Sequence, residues 1–178
     1  GLTSGTAVKT IQKAVNLVPP VVRHAITIDV AAGTYRDIGA TMGSEVANVF
    51  VSGKNVAGPG SITFVGDEVT PSNVRVTGSD SGADTTPVRK AGFWISGVKN
   101  VTIKGFLCNY FTGMGIYYYF YSTGSPQNCV CSNNTIAGIY YQWYSLGSPN
   151  TCTTNSNTNY GISYDWHSGG SPSSCTVT

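Results

Sequence analysis

Charge is what this chain has least of. Its 178 residues include 10 Lys plus Arg and 8 Asp plus Glu, and beyond Lys104 the one formal charge is Asp165, with His167 two positions on. A net charge of +2 with no basic cluster leaves little to displace counterions from phosphates, which excludes nucleic acid as a partner. Long apolar runs are missing too: none approaches the roughly 20 residues that a membrane span requires. No secretory leader opens the sequence, and Gly1 is read as following a removed export signal or as lying inside a longer chain. Two histidines and five cysteines without a Cys-x-x-Cys pair offer no zinc-type spacing, and no cofactor is expected.

What the chain does have is a repeat. Residues 115–137, 138–160 and 161–178 share the pattern G-I-x-Y-x-[F/W]-x-S-x-G-S-P-x-x-C at a period of 23. Ile116, Ile139 and Ile162 fall in register, as do Tyr118, Tyr141 and Tyr164, then Phe120, Trp143 and Trp166, and Cys129, Cys152 and Cys175. Each unit opens with β-branched and aromatic residues and breaks at Gly-Ser-Pro, so it reads as strand and turn. A fixed period of this size is the mark of a solenoid whose units stack at about 4.8 Å, placing like residues above like. Ladders of charge would repel, which explains the neutrality of this half.

The repeat fades toward the N-terminus but persists in Gly92 and Cys108, each 23 positions before Gly115 and Cys131. Earlier β-branched runs at 26–30, 49–51, 62–65, 74–77 and 101–103 predict longer, irregular coils. Val8, Ile11, Val15 and Val18, with Ala7 and Ala14, form an apolar stripe at helical spacing that ends at Pro19 and Pro20. Thr3 or Ser4 is its expected N-cap. The expectation is one all-β domain: a capping helix and lead-in over 1–25, irregular coils over 26–105 and regular coils over 106–178. Thr178 falls inside a repeat, so the chain reads as a fragment of a longer protein or as an end that docks on another subunit.

Residues identical between repeats read as inward and their variable alternates as outward. That assigns the Ile, Tyr118-type and Phe120/Trp143/Trp166 positions to the core, where the buried tyrosine hydroxyls then need partners. The outer face would carry Tyr117, Tyr119, Tyr121, Tyr140, Gln142 and Tyr144, leading to Asp165 and His167. Neutral aromatic and amide groups suit sugars, whose C–H faces stack on rings. Asp165 and His167 are the candidates for an acid/base couple, although glycoside hydrolysis ordinarily needs two carboxylates.

Cys108, Cys129, Cys131, Cys152 and Cys175 sit one coil apart in two columns, close enough for bridges but equally suited to a buried stack of thiols, which is the favoured reading. Cys129 and Cys131 are expected on opposite or marginal faces. Asn134 and Asn157 are expected to stack at a corner with amides bonded along the axis and left-handed backbones. Asp67 and Glu68 follow a glycine turn, and Asp80 and Asp84 lie in GSDSGAD; their spacing matches no calcium loop, and turn capping is the expected role. Asn100 and Asn133 begin N-glycosylation triplets.

The segments TIQKAVNLVPP, ITIDVAAGTYRD, SITFVGDEVTPSNVRVTGS and GFWISGVKNVTIKGF, within residues 7–107, resemble the opening coils of the pectin lyase-like superfamily. The likeness is nearest to pectin methylesterases and exported bacterial repeat proteins. It implies a single-stranded right-handed parallel β-helix. The esterases carry a Gln segment, two aspartates and an Arg on the next coils; here CNYFTGMGIYYYFY has no carboxylate, so no catalytic residue is carried over. The expected role is structural or adhesive at a cell or virion surface, with a glycan or a sister subunit as partner, as a trimer or an end-to-end stack. A tailspike-like polysaccharide lyase or hydrolase and a fibre subunit are the alternatives.

Overall fold

In the computed structural model, which describes residues 7–36, 38, 40–42, 45–79 and 89–178, the chain passes in turn through three sheets of parallel strands. The first holds Ala25–Asp29, Ser61–Val65, Val101–Lys104 and Pro126–Gln127. The second holds Gly33–Tyr35, Val74–Thr77, Leu107–Asn109, Val130–Ser132, Thr153–Asn155 and Thr176–Val177. The third holds Ala40–Met42, Glu45–Val51, Arg89–Ser96, Met114–Tyr119, Ala137–Gln142 and Tyr160–Asp165, and its first two strands form an antiparallel hairpin. Val21–Val22 pairs with Asn55–Val56 in a small sheet of its own. The fold is all-β with parallel sheets.

The interval between paired strands shortens along the chain. Ile26 pairs with Ile62, Ile62 with Val101, and Ile103 with Pro126, so successive paired strands are 36, 39 and 23 residues apart. From there the register is the period of the sequence: Cys108 opposes Cys131, Ile116 opposes Ile139 and then Ile162, and Tyr118 opposes Tyr141 and then Tyr164. The inner faces enclose one apolar core, in which Phe64, Phe93 and Phe106 pack edge to face and Ile116, Ile139, Tyr118 and Tyr141 are fully buried.

The helix spans Ile11–Leu17 and starts later than the sequence suggests. Thr10 is its N-cap, its hydroxyl accepting from Lys13 N at 3.1 Å. Thr3 and Ser4, the expected caps, lie outside the described residues. Ile11, Val15 and Val18 are buried in the core, and Gln12 clasps Phe50 on the strand Glu45–Val51. Its Nε2 donates to the Phe50 carbonyl at 3.0 Å and its Oε1 accepts from Phe50 N at 2.6 Å. The helix thus covers core and open backbone together, a remedy for an exposed sheet edge.

The buried tyrosines are satisfied by main chain. Tyr118, Tyr141 and Tyr164 donate to the carbonyls of Val101, Gly124 and Gly147 at 2.8, 2.9 and 2.9 Å. Their rings stack at centroid distances of 4.8 and 5.0 Å. The asparagine column is equally complete. Asn134 Oδ1 accepts from Phe111 N, its Nδ2 donates to the Cys108 carbonyl, and Asn157 repeats the arrangement toward Asn134 N and the Cys131 carbonyl. The left-handed residues are not these asparagines but their predecessors Asn133 and Ser156, with Tyr110 at the equivalent position before Phe111.

Two expectations about side-chain direction fail, each for its own reason. Phe120, Trp143 and Trp166 do not enter the core; Phe120 and Trp166 are exposed and Trp143 is half-buried. Each begins a pair of consecutive left-handed residues, Phe120–Tyr121, Trp143–Tyr144 and Trp166–His167, that ends the inward/outward alternation and turns both side chains out. Cys129 and Cys131 are both buried, because residues two apart along an extended chain share a face, so the expectation of opposite faces fails. All five cysteines are free thiols.

Candidate ligand-binding face

Outward residues of the third sheet form columns across the coils. Phe50, Trp94, Tyr117, Tyr140 and Ser163 make one, and Ser96, Tyr119, Gln142 and Asp165 the next. Together with Ala47, Ala91, Met114 and Ala137 they build a second apolar cluster on the outside of the sheet, in which Trp94 and Tyr117 are each only 4% exposed. Tyr117, Tyr119, Tyr140 and Gln142 are therefore brought together as the sequence predicts. Tyr121 and Tyr144 are not: they belong to the corner, where Tyr121, Tyr144 and His167 stack face to face within 6° of parallel.

Tyr117 and Tyr140 on the sheet stack within 16° of parallel, as most corner rings do, but around Trp94 and Tyr119 the sheet rings are splayed. At the corner Tyr121, Tyr144 and His167 stack in one column and Trp143 and Trp166 in another, while Phe120 meets Tyr121 edge-on at 81°. On the sheet, Trp94 and Tyr117 are tilted by 45°, Tyr117 and Tyr119 by 43°, and Trp94 meets Tyr119 edge-on at 85°. These rings fan around a concavity of about 450 Å³, closed on its sides by Gln142, Trp143 and the ion pair of Lys90 with Glu45. The Tyr117 hydroxyl donates to Gln142 Oε1, and among the described residues the buried Trp94 Nε1 has no hydrogen-bond acceptor.

Burial keeps the Tyr117 and Tyr140 hydroxyls of this face protonated. Burial, then the neighbouring Tyr119 and Tyr140 hydroxyls and the Glu45 and Asp165 carboxylates, push the Tyr117 hydroxyl far above its ordinary value. Tyr140 is pushed up to about 12, first by burial and then by Asp165, whose Oδ2 accepts its proton at 2.9 Å. Asp165 also accepts from Trp166 N at 2.8 Å, while His167 stacks on Tyr144. No hydrogen bond or ion pair joins Asp165 to His167, because the left-handed pair at Trp166 and His167 turns the histidine away from the sheet. The proposed acid/base couple is not assembled.

Trp94, Trp143, Glu45 and Lys90 are the site residues that sequence reasoning missed. Trp94 stands 23 positions before Tyr117, so extending the repeat one coil back would have found it. Glu45 and Lys90 left no such signal, since they meet across a 45-residue irregular separation. Other acids are employed locally. Asp67 accepts from Val69 N, Thr70 N and Asn73 Nδ2, bonds that lower its pKa, and Glu68 accepts from Asn128 Nδ2. Asp80 and Asp84 lie outside the described residues, among which no cluster of metal-ligating side chains occurs. Among the same residues no helix is long and apolar enough to cross a membrane.

No protein-family model matches this chain, and neither the curated proteins nor the solved structures contain a match to it.

Proposed function

We propose that this chain is a right-handed parallel β-helix of the pectin lyase-like kind, exported to a cell or virion surface, that binds a neutral glycan in the concavity on its third sheet. The observation that carries this reading is the splayed set of rings around that concavity: Trp94, Tyr117, Tyr119 and Trp143 line a space large enough for a pyranose ring, with Gln142 and the Lys90 and Glu45 heads at hand for its hydroxyls. Ligand sites of this type combine aromatic walls with a few convergent polar groups. The 23-residue register and the helix across the first coil support the β-helix reading.

The test is retention on a panel of neutral and acidic polysaccharides by affinity electrophoresis, followed by calorimetry with oligosaccharides of whichever is retained. Tyr119→Ala and Trp143→Ala are expected to weaken binding at least about tenfold, as loss of an aromatic anchor does. Retention that ignores both substitutions rejects the site. The same incubations read cleavage: new reducing or unsaturated ends that vanish in Glu45→Gln would replace binding by depolymerisation.

A further inference from the structure

The corner that leaves the third sheet is built in two ways. In the earlier coils Gly53 and Gly97 make it, with φ of 63° and 67°, a conformation that glycine adopts without steric cost. At the equivalent place the last three coils use Phe120–Tyr121, Trp143–Tyr144 and Trp166–His167, six bulky residues with φ between 50° and 62°. Bulky side chains in this region are strained, and strain retained where glycine would serve marks a surface with a use. What it achieves is display. Phe120, Tyr121, Tyr144 and Trp166 stand 50, 51, 43 and 51% exposed, with Leu146 beside them at 52%.

We infer that this ridge is the contact surface of an antiparallel two-fold dimer of the chain. In the ridge Tyr121 lies on Tyr144 at 5.1 Å and Trp143 on Trp166 at 4.7 Å, and Phe120 meets Tyr121 edge-on at 81°, so the ridge presents mainly ring edges. Apolar edges at a fixed spacing near 4.8 Å are matched by a surface of the same spacing, and a second copy supplies it. Half of five side chains of about 200 Å² each is roughly 500 Å² per copy, and two copies bury about 1,000 Å², enough for a specific but modest interface. The charges at its two ends choose the direction. Lys99 is exposed one coil before Tyr121, and Asp165, held by Tyr140 and Trp166 N, is exposed at the far end. Antiparallel copies set each Lys99 against Asp165 of the other, whereas parallel copies set like against like.

Sedimentation velocity over a wide concentration range, without saccharide, tests this independently of glycan binding. The chain is expected to show a concentration-dependent dimer. Tyr121→Asn with Tyr144→Asn keeps residues that tolerate a positive φ, and should raise the dissociation constant at least about tenfold with circular dichroism unchanged. Lys99→Asp, a surface change that leaves the ridge rings in place, should weaken the dimer, and adding Asp165→Lys should restore it. A monomer at every concentration, a double-Asn variant that dimerises like the parent, or a charge swap that fails to restore association each overturns the inference.

Discussion

The Tyr141 hydroxyl donates to the Gly124 carbonyl oxygen at 2.9 Å, and that bond explains two recurrent residues at once. A Cβ added at Gly147 would lie 1.8 Å from the same oxygen and 2.7 Å from the Tyr141 hydroxyl. The tyrosine of one repeat and the glycine of its Gly-Ser-Pro turn are thus a single device, repeated by Tyr164 with Gly170.

Removing either half should destabilise the fold unequally. Tyr141→Phe keeps the stacked ring and loses one buried bond, an expected cost of about 1 to 2 kcal/mol. Gly147→Ala forces a methyl into occupied space and should cost about 2 to 3 kcal/mol or prevent folding. Urea unfolding followed by circular dichroism measures both, and a Gly147→Ala protein as stable as the parent would refute the packing argument.

The asparagine column predicts a larger loss. Asn134→Ala strips partners from Phe111 N and the Cys108 carbonyl, both buried, for about 2 to 4 kcal/mol in all. Asn134→Asp keeps the shape but cannot donate to Cys108, so it should recover only part of that stability. Equal stability of Asp and Asn at this position would show that the donor half of the amide does nothing.

Alkali should unfold the protein steeply. Burial raises the pKa of Tyr117, Tyr118 and Tyr141 and of the Cys108 and Cys129 thiols, and the hydrogen bond with Cys108, then burial, raises that of Cys131, so at these groups the folded chain holds protons that the unfolded chain releases. Stability is therefore fully present below the unfolded thiol and tyrosine values, roughly 8.5 and 10. It then falls as pH rises, by up to about 1.4 kcal/mol per pH unit for each such group. Thermal melts from neutral pH upward should stay level to about pH 8 and then drop, with absorbance of the buried tyrosinates appearing only on unfolding. Gradual ionisation of all tyrosines in the folded protein would contradict this.

Thiol accessibility offers a separate check. Cys108, Cys129, Cys131 and Cys152 are buried and Cys175 is half-exposed. An aromatic disulfide reagent should titrate one thiol in the native protein and five after denaturation. Fewer than five in denaturant without reductant would reveal a disulfide.

The regular half of the fold was legible in the sequence because its period equals the coil length, so residues 23 apart must face one another whatever else happens. Cys108 over Cys131, Tyr118 over Tyr141 and Asn134 over Asn157 all follow from counting. The candidate site was legible as far as Tyr117, Tyr119, Tyr140 and Gln142, which share strands with that count.

What only the tertiary structure decided was direction and company. Simple alternation sends Trp166 inward, but two left-handed residues in succession reverse the chain's facing, and nothing in the side chains of Trp and His announces that conformation. Glu45 reaches Lys90 across coils of unequal length, where no period links them. Repetition specifies which residues stack, since that depends on chain length alone. Which way they point, and what distant residue closes the space beside them, depends on backbone torsions and loop paths that short-range pattern does not encode.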